Sequence, residues 1–369
     1  MPEPGEGARL FLRPVAILSG AAARRAVEAG SALPLAGGPL AFAAVEAALR
    51  QGPAVEAALR PAQGAAAARA VAAPADVLAW ARTRGLEASL DPLVRPRPAF
   101  AGLAPGRAAV MGIVNATPDS FSDGGRFLAR DAAIAHGAAL LEAGADLLDV
   151  GGESTRPGAE PVDPDEESRR VVPVIRHFAE RGALVSVDTR HAAVMAAAVA
   201  AGARIVNDVT ALAGDPASLG VVRRAGVPVV LMHMRGEPRT MQQDPVYDDA
   251  PLDVFEWLEA RLDACLAANI PPADLAVDPG IGFGKTVAHN LDLLASTALF
   301  HGLGVPILVG VSRKGFIARL GRGEEPTGRL AGSLAAGLAA VRQGAAILRV
   351  HDVAETVQAR AVWSAIEAA

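Results

Sequence analysis

The sequence predicts an α/β fold in which parallel strands alternate with helices. From residue 108 onward, short β-branched or aliphatic runs alternate with Ala-rich stretches, and a glycine follows several of these stretches. The runs are continuously apolar, which is typical of parallel strands that are buried on both faces. Eight such units over residues 108–369 predict a TIM (β/α)8 barrel with an additional N-terminal segment of about 105 residues.

The predicted strands are eight apolar runs. In chain order they are AVMGIVN (109–115), LLDVG (147–151), LVSVDT (184–189), RIVNDV (204–209), VPVVLMHM (227–234), LAVDPG (275–280), PILVGVS (306–312) and AILRVHD (346–352). A doubly wound open sheet is the main rival, but it tends to have fewer units and a glycine-rich turn after its first strand. No such turn follows residue 115, which favours the barrel.

The predicted helices fill the intervals between these runs. They cover 129–143, 166–181, 190–201, 215–225, 252–269, 287–298, 328–343 and 353–367. Five glycines stand where a left-handed residue would end a helix, namely Gly144, Gly182, Gly202, Gly226 and Gly344.

The N-terminal segment, residues 1–105, is dominated by Ala, Pro, Gly and Arg. It predicts a strand and two helices, over 10–18, 40–50 and 75–84. The Pro- and Gly-rich stretch 95–106 is interpreted as a linker. We expect a small α/β appendage or a cap on the bottom of the barrel, and then a barrel domain over 106–369.

Composition excludes several classes of protein. Hydrophobic residues make up 51% and the net charge is only −5, so a disordered chain and a nucleic-acid binder held by bulk charge are disfavoured. No apolar run approaches the ~20 residues needed to span a bilayer, and no signal peptide is indicated, so no membrane partner is expected. The single cysteine, Cys265, precludes an intrachain disulfide and fits a reducing cytoplasm.

Polar residues close nearly every predicted strand. They are Asn115, Asp149, Asp188, Asn207 with Asp208, His233, Asp278, Ser312 leading to Lys314, and Arg349 with His351. One such Asp is more often a turn or N-cap residue than a catalyst. Eight strands that deliver polar groups to the carboxyl end of a barrel predict a functional site, because that end carries the chemistry of this fold.

The chemical character of this set indicates the ligand class. Carboxylates at Asp149, Asp188 and Asp278, with the Asn207 amide, suit an N–H-rich edge such as that of a pterin, a purine or arginine. Cationic and imidazole groups suited to phosphate or carboxylate are Arg156, Arg313, Lys314, Arg349 and His351. Oxygen ligands suited to Mg²⁺ are Asn115, Asp119 and Asp123.

Eight motifs resemble those of the dihydropteroate synthase family. They are MGIVNATPDSFSDGG (111–125), DVGGESTRPGAEPV (149–162), VSVDT (185–189), IVNDV (205–209), MHMRGEPRTMQ (232–242), DPGIGFGKT (278–286), GVSRKGFI (310–317) and RVHDVAETVQA (349–359). The resemblance covers 108–369 and omits the N-terminal segment. It implies a transferase of folate biosynthesis that joins 6-hydroxymethyl-7,8-dihydropterin pyrophosphate to p-aminobenzoate. The products would be 7,8-dihydropteroate and pyrophosphate, formed by an SN1-like displacement with Mg²⁺.

The resemblance also implies residue roles. The implied pterin ligands are Asp149, Asp188, Asn207, Asp278 and Lys314. The implied p-aminobenzoate pocket consists of Phe121, Thr155, Arg156, Pro157, Phe283 and Ser312. Pyrophosphate would be held by Asn115, Arg349 and His351, with Asn115 as the metal ligand. The implied catalytic groups are Lys314, Asp123, Asp149, Arg349 and His351. Loops 116–127 and 152–162 resemble mobile lids, and Phe121 and Pro157 match positions where this family of sulfonamide targets acquires resistance.

Two other functions remain open at this stage. A pterin-dependent methyltransferase on the same barrel would share Asp188, Asn207 and Asp278 but would not need the SRK and STRPG motifs. A catalytically silent pterin-binding homologue is the other alternative, although none of the motifs has lost its characteristic residues. We also expect a homodimer, with helices 328–343 and 353–367 as its surface.

Lysine is rare in this chain, with two residues against 33 Arg. Lys314 is expected to reach between the two substrates, where a wider guanidinium would clash. Lys285 follows the Gly-rich turn after the sixth strand. Support of the Phe283 loop is the one role that its position suggests, and its function is otherwise left open. The histidines outside the site are expected at the surface: His136, His177, His191, His289 and His301.

Overall fold

Two β-sheets organise the chain in the computed structural model, which describes residues 8–50, 67–116, 126–154, 159–237 and 239–368. One is an eight-stranded parallel sheet, and the other is a four-stranded antiparallel sheet formed by N-terminal residues. The parallel sheet positions the candidate site.

The parallel sheet forms the barrel. Its strands are β5 (Ala109–Asn115), β6 (Leu147–Gly151), β7 (Val185–Asp188), β8 (Ile205–Asp208), β9 (Val229–Met232), β10 (Leu275–Asp278), β11 (Leu308–Val309) and β12 (Ile347–Val350). They pair in the order β10-β9-β8-β7-β6-β5-β12-β11, and a parallel bridge between Val277 and Ile307 joins the two ends. All eight predicted strands are confirmed, each inside its predicted run.

Helices follow the strands. They are α4 (Arg126–Glu142), α5 (Pro164–Ala179), α6 (Ala192–Ala200), α7 (Ser218–Ala225), α8 (Ala250–Ala267), α9 (Val287–Ala295), α10 (Gly315–Leu320), α11 (Leu330–Arg342) and α12 (Val353–Ala368). The five glycines predicted to end helices all have positive φ, between 62° and 107°. Helix α10 is missing from the prediction, because it is short and begins with Gly315, a poor helix former. None of the helices in the described part of the chain combines the length and apolar character needed to cross a membrane.

The N-terminal segment contradicts the prediction at one element and contains four further elements that are missing from the prediction. Its elements are β1 (Arg9–Leu18), α1 (Gly20–Glu28), β2 (Leu33–Pro34), β3 (Ala41–Arg50), β4 (Ala68–Ala72), α2 (Pro74–Arg82) and α3 (Asp91–Val94). The four missing from the prediction are α1, β2, β4 and α3. The predicted strand over 10–18 and helix over 75–84 are confirmed. The helix predicted over 40–50 is wrong, because this segment is the strand β3. Its Ala content favours a helix, but pairing with β1, β2 and β4 and full burial of Phe42 and Val45 outweigh that local preference.

The N-terminal sheet packs on the flank of the barrel. Phe11 of β1 meets Phe255 of α8 edge to face, with ring centroids 5.5 Å apart. Arg50 at the end of β3 donates to Glu256 at 3.1 Å, and Arg13 donates to the Ala295 carbonyl at 3.1 Å. These contacts fix the sheet against α8 and the end of α9.

The segment predicted as a linker, 95–106, closes the bottom of the barrel. Phe100 is 4% exposed and clusters with side chains from the lower ends of the strands, including Met111, Leu147 and Ile347. A 3₁₀ turn, Phe100–Gly102, presents the ring. The segment therefore contributes to the core, which supports the expectation of a cap at this end.

Candidate active site

Three buried polar side chains meet inside the upper end of the barrel. Asp149 lies in β6, Asp188 ends β7 and Asn207 lies in β8, with exposed fractions of 0%, 9% and 5%. Asp188 is paired in register with Asn207 on one side and with Gly151 on the other. Neighbouring parallel strands thus bring the predicted residues together.

Arg349 of β12 joins this group. Its Nε donates to Asp149 Oδ2 at 2.6 Å, and its Nη2 donates to Asp188 Oδ2 at 2.6 Å. Asn207 Nδ2 donates to the same Asp149 oxygen at 2.9 Å. The guanidinium predicted to hold pyrophosphate therefore lies on the carboxylates predicted to hold the pterin.

The electrostatics of this group depend on its burial. Burial raises the pKa of Asp188 to about 7, against the lowering effect of Arg349 and together with repulsion from Asp149. Burial also opposes the charge of Arg349, but attraction to Asp149 and Asp188 outweighs it and raises the pKa of the guanidinium. Asp149 Oδ1 is buried without a hydrogen-bond partner among the described residues. This leaves an acceptor that a ligand N–H could satisfy.

Asp278 and Lys314 form the neighbouring part of the site. Asp278 ends β10 and accepts from the Gly280 amide at 2.7 Å. Burial raises the pKa of Asp278, with Lys314 as the strongest opposing influence. Burial lowers the pKa of Lys314 to about 8, and Asp278 opposes that shift. Lys314 Nζ donates to the Ile281 carbonyl and lies 4.6 Å from the centre of the Phe283 ring.

The turn that carries Phe283 depends on close backbone packing. A Cβ atom at Gly280 would lie 1.8 Å from the His233 carbonyl oxygen, and one at Gly284 would lie 2.3 Å from that of Arg235. Both glycines also have positive φ. Only glycine fits such positions without displacing the chain. The GIGFG sequence thus presses the turn against the loop after β9 and fixes Phe283 in the site.

Lys285 lies beneath this turn and is only 1% exposed. Its Nζ donates to the Phe283 carbonyl at 3.0 Å and lies 2.9 Å from His233 Nδ1. Burial is the main cause that lowers the pKa of both side chains. Lys285 therefore supports the Phe283 turn from behind, and His233 contacts Lys285 there, although it belongs to the polar set predicted at the strand ends.

Ser312 and His351 are brought together at the end of β11 and β12. Ser312 Oγ accepts from the His351 amide at 3.1 Å and lies 3.1 Å from His351 Nδ1. Ser312 is 6% exposed. This contact holds the imidazole near the strand that carries Arg349.

Three residues differ from their predicted surroundings. Arg313, expected to face an anion, donates instead from Nε to Asp352 at 3.0 Å, and its φ is 59°. Asp208 accepts from the amides of Thr210 and Leu212, so it shapes a turn and does not face a ligand. His301, expected at the surface, is 4% exposed because it lies under the N-terminal segment.

An ion pair that the sequence analysis missed lies beside the site. Arg190 donates from Nε and Nη2 to the two carboxylate oxygens of Glu153, each at 3.0 Å. Glu153 also accepts from the Val162 amide at 3.1 Å. The Glu153 carboxylate thus ties together the two ends of the loop 152–162, and Arg190 holds that carboxylate in place. Glu153 lies in the motif 149–162 and Arg190 directly follows the motif 185–189. Opposite charges in or beside two motifs of the site could have indicated this ion pair.

Several predicted residues lie outside the described part of the chain. They are Phe121, Asp123, Thr155, Arg156 and Pro157, together with Asp119. Asn115, which ends β5, is described and is partly exposed. Within the described ranges, no three His, Cys, Asp or Glu side chains are placed to hold a metal. The Asn115 amide oxygen fits Mg²⁺ only as one of few protein ligands, since Mg²⁺ commonly combines one or two of these with substrate phosphates and water.

Comparison with known proteins decides the family. The family described as "Pterin binding enzyme" matches residues 111–351, from β5 to the residue after β12. The chain belongs to this family. Within it, the chain is similar to the dihydropteroate synthase of Escherichia coli K12, at 46% identity over 257 residues that cover 69% of this chain and 90% of that protein. The dihydropteroate synthase of Mycobacterium leprae is 45% identical over 262 residues, covering 69% and 92%.

Solved structures of the dihydropteroate synthase family agree with the fold. The Xanthomonas albilineans enzyme with 4-aminobenzoic acid is 52% identical with a TM-score of 0.68, covering 71% of this chain and 94% of that one. A Yersinia pestis dihydropteroate synthase with a sulfonamide drug is 46% identical with a TM-score of 0.68, covering 71% and 95%. These findings confirm the predicted family and barrel.

Proposed function

We propose that this chain joins 6-hydroxymethyl-7,8-dihydropterin pyrophosphate to p-aminobenzoate, giving 7,8-dihydropteroate and pyrophosphate. The observation that carries this proposal is the cluster of Asp149, Asp188 and Asn207 beside Asp278 and Lys314 in a barrel of this family. A relative from Xanthomonas albilineans, 49% identical, has been solved with 7,8-dihydropteroate. That ligand contains both proposed halves of the product.

Pterin recognition follows from the position of Arg349. Its guanidinium presents two N–H groups to Asp149 and Asp188, and the amino-pyrimidine edge of a pterin presents donors of the same kind. We infer that the pterin replaces the guanidinium on these carboxylates. Arg349 is then free to meet the pyrophosphate of the same substrate. Binding thus exchanges the two ion pairs of Arg349 with Asp149 and Asp188 for contacts of these carboxylates with the pterin and of Arg349 with the pyrophosphate.

Lys314 orients the other side of the heterocycle. Between Asp278 and the Phe283 ring, its protonated amine can donate to the carbonyl and ring nitrogen of the pterin. The ammonium is a compact donor, whereas a guanidinium would need more room in the same space. Phe283 and Ser312 would then border p-aminobenzoate, together with the predicted residues Phe121, Thr155, Arg156 and Pro157.

Bond breaking at the pterin methylene separates charge. The C–O bond breaks with its electron pair on pyrophosphate, where Arg349 and His351 stabilise the anion. The pterin delocalises the positive charge, which Asp149 and the predicted Asp123 favour. The arylamine nitrogen then attacks with its free lone pair and loses a proton, so positioning and electrostatics dominate over general-base catalysis. Asn115 would hold Mg²⁺, which would supply charge neutralisation at the leaving group.

We also propose a homodimer in the cytoplasm. Helix α12 exposes Val362 and Ile366 by 57% and 68%, one helical turn apart, and both lie within the predicted dimer surface of 328–343 and 353–367. The lone Cys265 is buried, as suits a chain in a reducing compartment. Sedimentation of the wild type against a Val362→Glu, Ile366→Glu variant tests the dimer, and a monomeric wild type would contradict it.

Pyrophosphate release tests the proposed reaction. We expect release that requires the pterin pyrophosphate, p-aminobenzoate and Mg²⁺ together, with 7,8-dihydropteroate as the product by mass. Pterin binding without release would favour a silent homologue, and methyl transfer from a methylated pterin would favour the methyltransferase. Asp131→Asn changes an exposed side chain that is not among the proposed site residues, and it serves as the control for effects of expression and purification on activity.

A further inference from the structure

A cavity of about 520 Å³ lies at the end of the barrel opposite the candidate active site. Its wall has two origins. N-terminal residues within 35–40 and 96–105 contribute one part, and barrel residues within 106–108, 301–306, 341–347 and 360–364 contribute the other. A cavity of this size falls within the range of small-molecule sites, roughly 300–1,000 Å³. The proposed reaction does not use it.

Most of the wall is apolar. Leu40, Pro98, Phe100, Leu103 and Trp363 all line the cavity. Phe100 belongs to the N-terminal segment and Trp363 belongs to α12, so both parts of the chain contribute aromatic rings to the wall. Such a wall favours a ligand with an apolar and preferably flat body, because burying apolar surface is the main gain available.

Arg97 gives the cavity an uncompensated charge. Its Nη2 donates to the carbonyls of His301 at 2.8 Å and Pro92 at 2.5 Å, and its Nη1 donates to that of Arg95 at 3.1 Å. Its Nε is buried without a partner, and none of the described carboxylates pairs with the guanidinium. Burial, and then repulsion from Arg95, lowers its pKa to about 10, so it remains charged at neutral pH.

The other charged groups of the wall do not cancel this excess. Arg107 and Arg360 line the cavity and share one carboxylate, Asp146, at 3.0 and 3.2 Å. His301 adds no charge near neutrality, since burial lowers its pKa to about 4. Three guanidinium groups thus face one carboxylate. Charge complementarity calls for an anion.

We propose that this cavity binds an aromatic monocarboxylate, with its ring against the apolar wall that includes Trp363 and its carboxylate toward Arg97. Inorganic phosphate would satisfy the charge but would leave the apolar wall in contact with water. A neutral aromatic compound would cover the apolar wall but would leave Arg97 without a counter-ion. The site goes beyond the proposed function, because it lies at the other end of the barrel and takes no part in the reaction.

Calorimetry with 2-naphthoate on the full chain tests the site. We expect one molecule per chain and binding at least tenfold tighter than that of the neutral match, 2-naphthamide. Absence of 2-naphthoate binding at millimolar concentration would overturn the proposal. Equal affinity for the two compounds would also overturn it, because the charge would then play no part.

Three variants locate the bound molecule. Arg97→Gln removes the charge and should weaken 2-naphthoate at least tenfold, whereas Arg95→Gln, at an exposed side chain outside the wall, should leave the affinity unchanged. Ala104→Trp fills the cavity from an exposed position and should abolish binding without changing turnover. If Arg97→Gln does not fold, Ala104→Trp decides alone. Binding that survives Ala104→Trp would place the ligand elsewhere and refute the site, while leaving the proposed function untouched.

Discussion

Arg349 contacts Asp188 through Nη2 at 2.6 Å, and the same guanidinium reaches Asp149 through Nε. A cation from the last strand thereby contacts two carboxylates from the second and third strands of the barrel. These contacts partly satisfy the buried carboxylates, and Asp149 Oδ1 has no hydrogen-bond partner among the described residues. The proposed pterin binding would break the contacts with Arg349.

Asp188→Ala should abolish pterin binding together with turnover. The change removes an acceptor for the heterocycle and leaves Arg349 without one of its two counter-ions, a loss of about 3–5 kcal/mol for a buried pair. Calorimetric titration with the pterin pyrophosphate measures the affinity, with Asp131→Asn as a matched surface control. Unchanged pterin affinity in Asp188→Ala would show that the pocket assignment is wrong.

Stability should fall as the pH rises from about 4 to about 7. The pKa of Asp188 is raised from 3.8 to about 7, so the folded state holds its proton more tightly than the unfolded state in this range. Asp188→Asn should flatten this slope in urea unfolding at a series of pH values. Some slope remains, because the pKa of Asp278 is raised in the same direction. A slope equal to that of the wild type would contradict the assignment.

Lys314 should set the alkaline limit of activity. Its pKa is lowered to about 8, and only the protonated amine can donate to the pterin carbonyl, so kcat/KM for the pterin pyrophosphate should fall above that pH. Lys314→Arg should lose roughly tenfold to a hundredfold in kcat/KM, the value of one charge-assisted hydrogen bond. Its remaining activity should persist to higher pH. Near-full activity in Lys314→Arg would defeat the steric argument.

Lys285→Met should separate the two substrates kinetically. Methionine fills the space of Lys285 but leaves the Phe283 carbonyl without its donor, which costs about 1–3 kcal/mol. Because the Phe283 turn borders the proposed p-aminobenzoate pocket, we expect KM for p-aminobenzoate to rise more than KM for the pterin. An equal rise in both values would indicate a general loss of structure instead.

Phe100→Ala should destabilise the fold without changing pterin affinity. The ring plugs the bottom of the barrel, and its removal from a buried cluster costs about 3–5 kcal/mol. Urea unfolding measures the loss, and pterin titration supplies the control.

A chain that starts at residue 105 should melt at lower temperature than the full chain, because Phe255 loses its contact with Phe11. Unchanged melting would make the N-terminal segment dispensable.

The barrel could be predicted because its strands are buried on both faces. That burial produces continuous apolar runs, and each run ends at a polar residue such as Asp188 or Asp278. The strand β3 could not be predicted, because its Ala-rich sequence favours a helix and its partners β1 and β4 impose the extended form from outside. Local preference and long-range pairing conflict there, and pairing prevails.

Convergence of the site could be predicted, but its internal pairing could not. Strand order places Asp149 and Arg349 at the same end of the barrel without fixing which charges meet. Two cations that looked equivalent in the sequence therefore differ, since Arg349 enters the carboxylate cluster and Arg313 turns to Asp352. Arg313 also has a φ of 59°, and nothing in the residue type reveals that angle.

The scarcity of lysine has a practical consequence. The chain has two side-chain amines, and Lys285 is sealed from solvent while Lys314 is partly exposed inside the site. An acylating reagent applied to the native protein therefore has one reachable lysine, and the lowered pKa of Lys314 makes that amine nucleophilic near neutral pH. Mass spectrometry of the modified peptide would read occupancy of the pterin pocket directly, without a substrate assay or an engineered label.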